Sequence, residues 1–203
     1  MKYYHPDFLD FGLDRIRAKI AAGNTVKLHI LKAYAAGDSY ATAFGNSIGS
    51  VALAEGDLTL GNQGTNGRQV AVASKNLTAS GASEQYDSGT ATAGGANTLT
   101  DSGKAWSVNG HAGRAAKIVG GTGAGQSRRI ASNTATQLTV TVNWTTPPDA
   151  TSQYQILDDV HFAILDETES KVLVATDEDS NQVITAGNPV TTPAWAAKQN
   201  QPA

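Results

Sequence analysis

The residues Gly120-Gly121-Thr122-Gly123-Ala124-Gly125-Gln126-Ser127 follow the strand-like run Lys117-Ile118-Val119. Their spacing imitates the glycine-rich loop that wraps the phosphates of a nucleotide. That chemistry needs a lysine ammonium against the β- and γ-phosphates and a helix whose first amides face the anion. Gln126 stands at the lysine position, and Arg128-Arg129-Ile130-Ala131-Ser132-Asn133 carries no helical apolar stripe. A glycine-rich turn between two strands accounts for the same residues. His5, His29, His111 and His161 are too scattered to show a metal-ligand spacing, and His29 and His161 fall inside strand-like runs. The acidic groups Asp158-Asp159, Asp166-Glu167-Thr168-Glu169 and Asp177-Glu178-Asp179 offer oxygen ligands for a hard cation. They lack the regular alternation of a calcium loop and read as solvated turns. There is no G-x-S-x-G elbow. The sequence therefore assigns no catalytic residue, no cofactor site and no metal site.

The elements that would position these residues are mainly strands. One helix is expected at the start, where Leu9, Leu13, Ile16 and Ile20 form the stripe that covers a core. Asp7 or His5 can cap it, and Gly23 ends it. Val26-Lys27-Leu28-His29-Ile30-Leu31 alternates as a half-buried strand does. Short strands are expected at 50–54 and 68–75, and a hairpin at 161–165 and 171–175. Another strand is expected at 182–185, followed by a small, polar tail at 196–203 draped on a neighbour or unattached. Between these parts the texture changes to Gly- and Thr-rich sequence, with strands at 98–100, 115–119, 126–130 and 137–143. The reading is a small β-sandwich or barrel-like core domain (1–86 plus 158–203) carrying an inserted small β domain (87–157). Trp106 and Trp144 would each fill one side of the insert.

Composition narrows the classes. The 203 residues include no Cys, which excludes a disulfide scaffold, a zinc-thiolate site and a cysteine nucleophile. A formal net charge of −3 without a Lys/Arg block argues against a broad nucleic-acid-binding face. No apolar run approaches the roughly 18 residues that span a bilayer. Met1-Lys2-Tyr3-Tyr4-His5-Pro6-Asp7 has neither the apolar core nor the cleavage site of a secretion signal.

The middle segment resembles a small β module that recurs in virion proteins of tailed bacteriophages. The likeness is carried by Thr98-Leu99-Thr100-Asp101-Ser102-Gly103-Lys104-Ala105-Trp106 and by Gly121-Thr122-Gly123-Ala124-Gly125-Gln126-Ser127-Arg128. It continues through residues 130–140 and ends at Pro148-Asp149-Ala150-Thr151-Ser152-Gln153-Tyr154. The flanking parts resemble a group of small phage structural proteins. There the carriers are the N-terminal helix, Gly67-Arg68-Gln69-Val70, the strand pair beginning at His161 and Lys171, and Val183-Ile184-Thr185-Ala186-Gly187-Asn188-Pro189-Val190.

These resemblances imply a non-enzymatic capsid decoration (cement) protein. It would be made in the host cytoplasm and bound to the outside of the head. The implied partners are the major capsid protein and copies of the chain itself, as a trimer or dimer, with no nucleic acid, membrane or cofactor. Tyr3, Tyr4, Phe8, Phe11 and Trp195 are the aromatic candidates for shell or subunit contacts, or else they cover the domain's own core. One alternative places the protein in the tail, neck or baseplate. Another is a carbohydrate-binding module, in which Trp106, Trp144 and Tyr154 line an exposed face and stack on sugars.

Overall fold

The computed structural model describes residues 6–64, 67–178 and 181–200, with 6–11 and 200 described as backbone only. Strands take 45 % of the residues against 10 % in helices, and several sheets form a β-sandwich-like core, so the chain is mainly β with a helix near its N-terminus. In chain order the elements are α1 (Pro6–Ala21), β1 (Val26–Leu31), α2 (Tyr40–Gly45), β2 (Ser47–Ala52), β3 (Leu58–Asn62), β4 (Gly67–Val72) and β5 (Lys75–Thr78). Next come β6 (Gln85–Thr90), β7 (Ala93–Gly94), β8 (Thr98–Thr100), β9 (Ala115–Gly120), β10 (Ser127–Asn133), β11 (Gln137–Val140) and β12 (Gln153–Leu157). The chain then forms β13 (His161–Asp166), β14 (Lys171–Asp177), β15 (Pro189–Thr192) and β16 (Trp195–Asn200).

Helix α1 forms where the apolar stripe requires it. Leu13 and Ile16 are buried in the main core, with Ile20 packed against it, and the helix rests on β3, β4 and β16. It stops in a Schellman motif: the Gly23 amide donates to Ile20 O (2.9 Å) and the Asn24 amide to Lys19 O (3.0 Å). Gly23 has φ +89°, a conformation that side chains with a Cβ resist. The last turn is then tied to the sheet by one buried carboxylate. Asp166 is fully buried and lies 2.9 Å from Lys19 Nζ. It also accepts from Asn24 Nδ2 (2.8 Å) and from the amides of Thr168 and Glu169 (3.0 Å each).

A four-stranded antiparallel sheet, ordered β14-β13-β1-β2, forms the centre. One of its faces contributes Leu28, Ile30, Phe162 and Ile164 to the main core, together with Val70 and Val72 of the three-stranded sheet β16-β4-β3. Its other face is also covered, with Leu31, Ala163 and Leu165 packing on Ala43 of α2. β1 is therefore more than half-buried. His29 is only 1 % exposed; it lies beside Phe44 and 2.8 Å from Ser47 Oγ.

Several boundaries differ from those the sequence suggests. α2 was not anticipated; Ser39 caps it, its hydroxyl accepting from the Thr42 amide. The expected strand at 182–185 is irregular, and the pairing goes instead to β15, which joins β5. The tail is neither free nor draped on a neighbour up to Asn200, because β16 pairs with β4 from Trp195↔Val72 to Asn200↔Gly67. Trp195 is half-buried and packs on the chain's own core, the second of the two roles the sequence leaves open for it. Tyr3 and Tyr4 lie outside the described residues, as do the side chains of Phe8 and Phe11.

The remaining sheet has seven strands, ordered β6-β12-β9-β10-β11-β8-β7, all from residues 85–157. β6 starts before position 87 because Gln85 pairs with Leu157. This sheet encloses its own cluster, including Leu99, Ile118, Ile130, Leu138 and Ile156.

Burial pushes the Asp166 carboxyl up, but hydrogen bonds from Lys19, Asn24 and the Glu169 amide outweigh burial and hold it below the usual range. Hydrogen bonds from Lys171, then Lys19 and Asn24, bring Glu169 down to about 2. Carboxyls depressed in the folded state contribute stability that is complete above about pH 4 and is lost as pH falls through their folded values. Asp166→Ala is expected to lower the unfolding free energy by about 2 kcal/mol, because it takes one carboxylate from the buried Lys19 ammonium and leaves the part-buried donors of Asn24, Thr168 and Glu169 without their acceptor. Urea unfolding at neutral pH measures the loss, and a series toward pH 2 should show a flatter acid dependence than the parent.

Candidate functional site

The glycine-rich segment is a turn between β9 and β10. Gly121, Gly123 and Gly125 have φ of +72°, +82° and +90°. The amides that would face a phosphate are used internally. Thr122 N donates to Thr151 Oγ1 (3.1 Å), Ala124 N to Gly121 O (3.2 Å), Gly125 N to Ile118 O (2.8 Å) and Gln126 N to Gly123 O (3.3 Å). Gln126 clamps the neighbouring loop from both ends of its amide. Nε2 donates to Gly123 O and Thr146 O, and Oε1 accepts from the amides of Thr145 and Thr146. Ser127 then opens a strand instead of a helix.

The aromatic side chains proposed as an exposed sugar-stacking face are interior, which corrects that assignment. Trp106, Trp144 and Tyr154 are 9 %, 4 % and 1 % exposed. Trp106 Nε1 donates to Asp87 Oδ2 (2.6 Å), and its ring meets Tyr154 edge-on at 6.3 Å. Tyr154 Oη donates to Asp101 Oδ2 (2.8 Å). Trp144 sits under the Arg128 guanidinium at 5.9 Å. Trp106 and Trp144 do fill the interior of the 85–157 sheet.

The polar residues that converge lie where this sheet meets the rest of the chain. The crossings are adjacent: Asp158 N donates to Glu84 O (3.0 Å), and Glu84 N donates back to Asp158 Oδ2 (2.8 Å). Tyr86 Oη donates to Asp158 Oδ1 (2.8 Å). Burial, this hydrogen bond and the Asp158 charge push the Tyr86 hydroxyl up to about 12. The Arg114 guanidinium lies 3.4 Å over the Tyr86 ring. Arg129 reaches from β10 to Tyr34 O (3.1 Å) and Asp159 Oδ2 (2.9 Å). Asn181 stitches the other side, where Oδ1 accepts from Val160 N (2.6 Å) and Nδ2 donates to Ser127 Oγ (3.1 Å). Lys117 Nζ donates to Asn181 O (2.6 Å). A cleft of about 330 Å³, bordered by Lys32, Tyr34, Tyr86, Arg114, Arg129 and Asp159, opens here.

Three possible metal ligands gather beside that cleft. His161 and Asp177 are register partners on β13 and β14, and Asp159 lies two residues before His161. His161 Nδ1 lies 2.8 Å from Asp159 O; a carbonyl only accepts, so Nδ1 carries the proton. Nε2 faces Asp159 Oδ2 at 3.9 Å and Asp177 Oδ1 at 3.8 Å. Burial and then the Asp177 charge raise the Asp159 carboxyl, against the opposing pull of His161, Arg129 and Asn181. The sequence points to Asp158-Asp159, Asp177 and His161 separately. It gives no signal for Arg129 or Asn181, whose partners are distant along the chain.

Comparison with protein-family models, with curated proteins and with solved structures gives no match.

Gln126→Lys would complete the phosphate-loop spacing while removing the acceptor that holds Thr145 and Thr146. The expected outcome is a lower melting temperature with no ATP binding by calorimetry. At Gly121 an added Cβ would lie 1.9 Å from Thr151 O, whereas at Gly125 it meets nothing within 4 Å. Both positions have positive φ, so Gly125→Ala is expected to cost about 1 to 2 kcal/mol and Gly121→Ala distinctly more. Parallel denaturation curves decide it.

Proposed function

We propose that this chain is a non-enzymatic structural protein of a tailed-bacteriophage virion, a decoration (cement) protein on the outside of the head shell. The observation that carries the reading is what the motif residues do. Asp101 receives the Tyr154 hydroxyl and the Gly103 amide. Lys104 reaches Asp87 Oδ1 (2.7 Å) and Ser88 O (2.8 Å). Asp149 accepts from Thr151 N and Oγ1 and from Thr122 Oγ1. Asn133 spans Ser107 O, Thr134 O and the His111 amide. The residues by which 98–154 resembles the phage module are those that fix its turns and interior, so the likeness lies in the framework that specifies a fold.

The layout suits a shell-bound role. The seven-stranded part leaves the rest of the chain through β6 and β12, which are side by side. In this reading the flanking part grips the lattice of the major capsid protein, with further copies of the chain as neighbours, and the seven-stranded part stands away from it.

Quantitative mass spectrometry of virions of the encoding phage, with antibody labelling in electron micrographs, tests this. The expected result is a fixed stoichiometry to the major capsid protein and label over the whole head. Label confined to tail, neck or baseplate, or absence of the chain from the particle, overturns it.

A further inference from the structure

We propose that Asp159, His161 and Asp177 form a binding site for a divalent first-row transition metal, with Zn²⁺ as the representative ion, beside the crossing between the seven-stranded sheet and the rest of the chain. One imidazole nitrogen and two carboxylates are a donor set such ions accept.

Three observations support it independently of the proposed virion role. First, His161 is pre-oriented. Its side chain is 8 % exposed, and the Nδ1–H bond to Asp159 O leaves the lone pair of the neutral ring on Nε2. A histidine that ligates a metal through one nitrogen usually gives the other N–H to a carbonyl or carboxylate. That lone pair has no hydrogen-bond donor among the described residues and is aimed between two carboxylates.

Second, the spacing is close to what a metal requires. One donor atom from each residue falls within 4.8 Å of the others, and the two Nε2–oxygen distances are 3.9 and 3.8 Å. Bonds of about 2.0 to 2.1 Å in a tetrahedral site place donor atoms roughly 3.3 Å apart. Asp177, whose side chain is 52 % exposed, is free to turn toward Nε2, and the Asp159–His161 pair, now at 3.9 Å, closes by a smaller side-chain adjustment of its own.

Third, no guanidinium is paired with the Asp177 carboxylate among the described residues. Arg129 bonds Asp159 Oδ2 at 2.9 Å, and Arg128, which lines the same cleft as Asp177, is turned to Asn143 O, Ser127 O and Thr145 Oγ1. Asp177 has no basic partner nearer than His161 among the described residues. A divalent ion would balance the second charge, and Arg129 would remain as the outer partner of the ligating Asp159. A cleft of about 150 Å³, lined by Arg128, Arg129, Thr141, Asp177 and Asn181, opens beside Asp177. Bound there, the ion would join the linker at Asp159 to both β13 and β14 and stiffen the crossing.

The test uses the full chain, stripped with a chelator and dialysed, and titrated with Zn²⁺ by calorimetry near neutral pH. Thermal melts accompany the titration, and Co²⁺ serves as a spectroscopic probe. The expected result is one saturable site per chain, a melting temperature that rises with Zn²⁺, and visible Co²⁺ bands of a four- or five-coordinate centre. Asp177→Asn, at an exposed position that leaves the fold intact, should weaken binding at least about tenfold, since even outer partners of a metal site are worth that much. His161→Gln should abolish the Co²⁺ bands, with circular dichroism confirming the fold. Absence of saturable binding overturns the proposal. So does binding that Asp177→Asn leaves unchanged, which would place the ion on other histidines.

Discussion

The carboxylate of Asp158 holds together the two points at which the chain crosses between its two β assemblies. One oxygen receives the Glu84 amide and the other the Tyr86 hydroxyl, while the Asp158 amide returns a bond to Glu84 O. It sits where β6 begins and β12 ends, beside the Leu157↔Gln85 pair and the register shift that precedes Ile156↔Asp87. On the far side, Asp158 sets where Asp159, Val160 and His161 enter the central sheet. The Arg114–Tyr86 stack, the Arg129 bridge and the Asn181 clamp gather around the same crossing. Such a group acts through directed hydrogen bonds more than through buried area, and its value lies in excluding other arrangements.

Elements with a strong local pattern were legible in the sequence. The Leu13–Ile16–Ile20 spacing and Gly23 locate α1. The alternation of Val26 to Leu31 and the paired runs after His161 and Lys171 locate β1, β13 and β14. Strands formed by pairing instead of by composition escaped notice. Gln85-Tyr86-Asp87-Ser88-Gly89-Thr90 and Trp195-Ala196-Ala197-Lys198-Gln199-Asn200 look like loop or tail, yet each is a strand because a partner lies beside it. Tyr40–Gly45 was missed because six residues holding a Thr and a Gly carry little helical preference. It stands through the Ser39 cap and the packing of Ala43.

The candidate site divides in the same way. Acidic residues and His161 are visible as residue types, but their convergence depends on the β13–β14 register, which sets His161 opposite Asp177. Arg129 reaches Asp159 across thirty positions, and Asn181 reaches Ser127 across fifty-four. No local pattern encodes such distances. The glycine cluster is the reverse case, conspicuous in sequence and spent on a turn.

The position of β13 has a kinetic consequence. It lies between β14 and β1, with both faces covered, yet its partner β1 is synthesised more than a hundred residues earlier. The central sheet therefore cannot close until nearly the whole chain exists, and long-range closure of this kind slows folding. Residues 85–157 pair only among themselves within their sheet, so they can order while the rest waits. Once they do, Glu84 and Asp158 are neighbours, and the loop between β1 and β13 is shortened by the length of everything already folded within it. Loop entropy falls with that length. The middle of the chain then acts as an internal template for the assembly of its own ends.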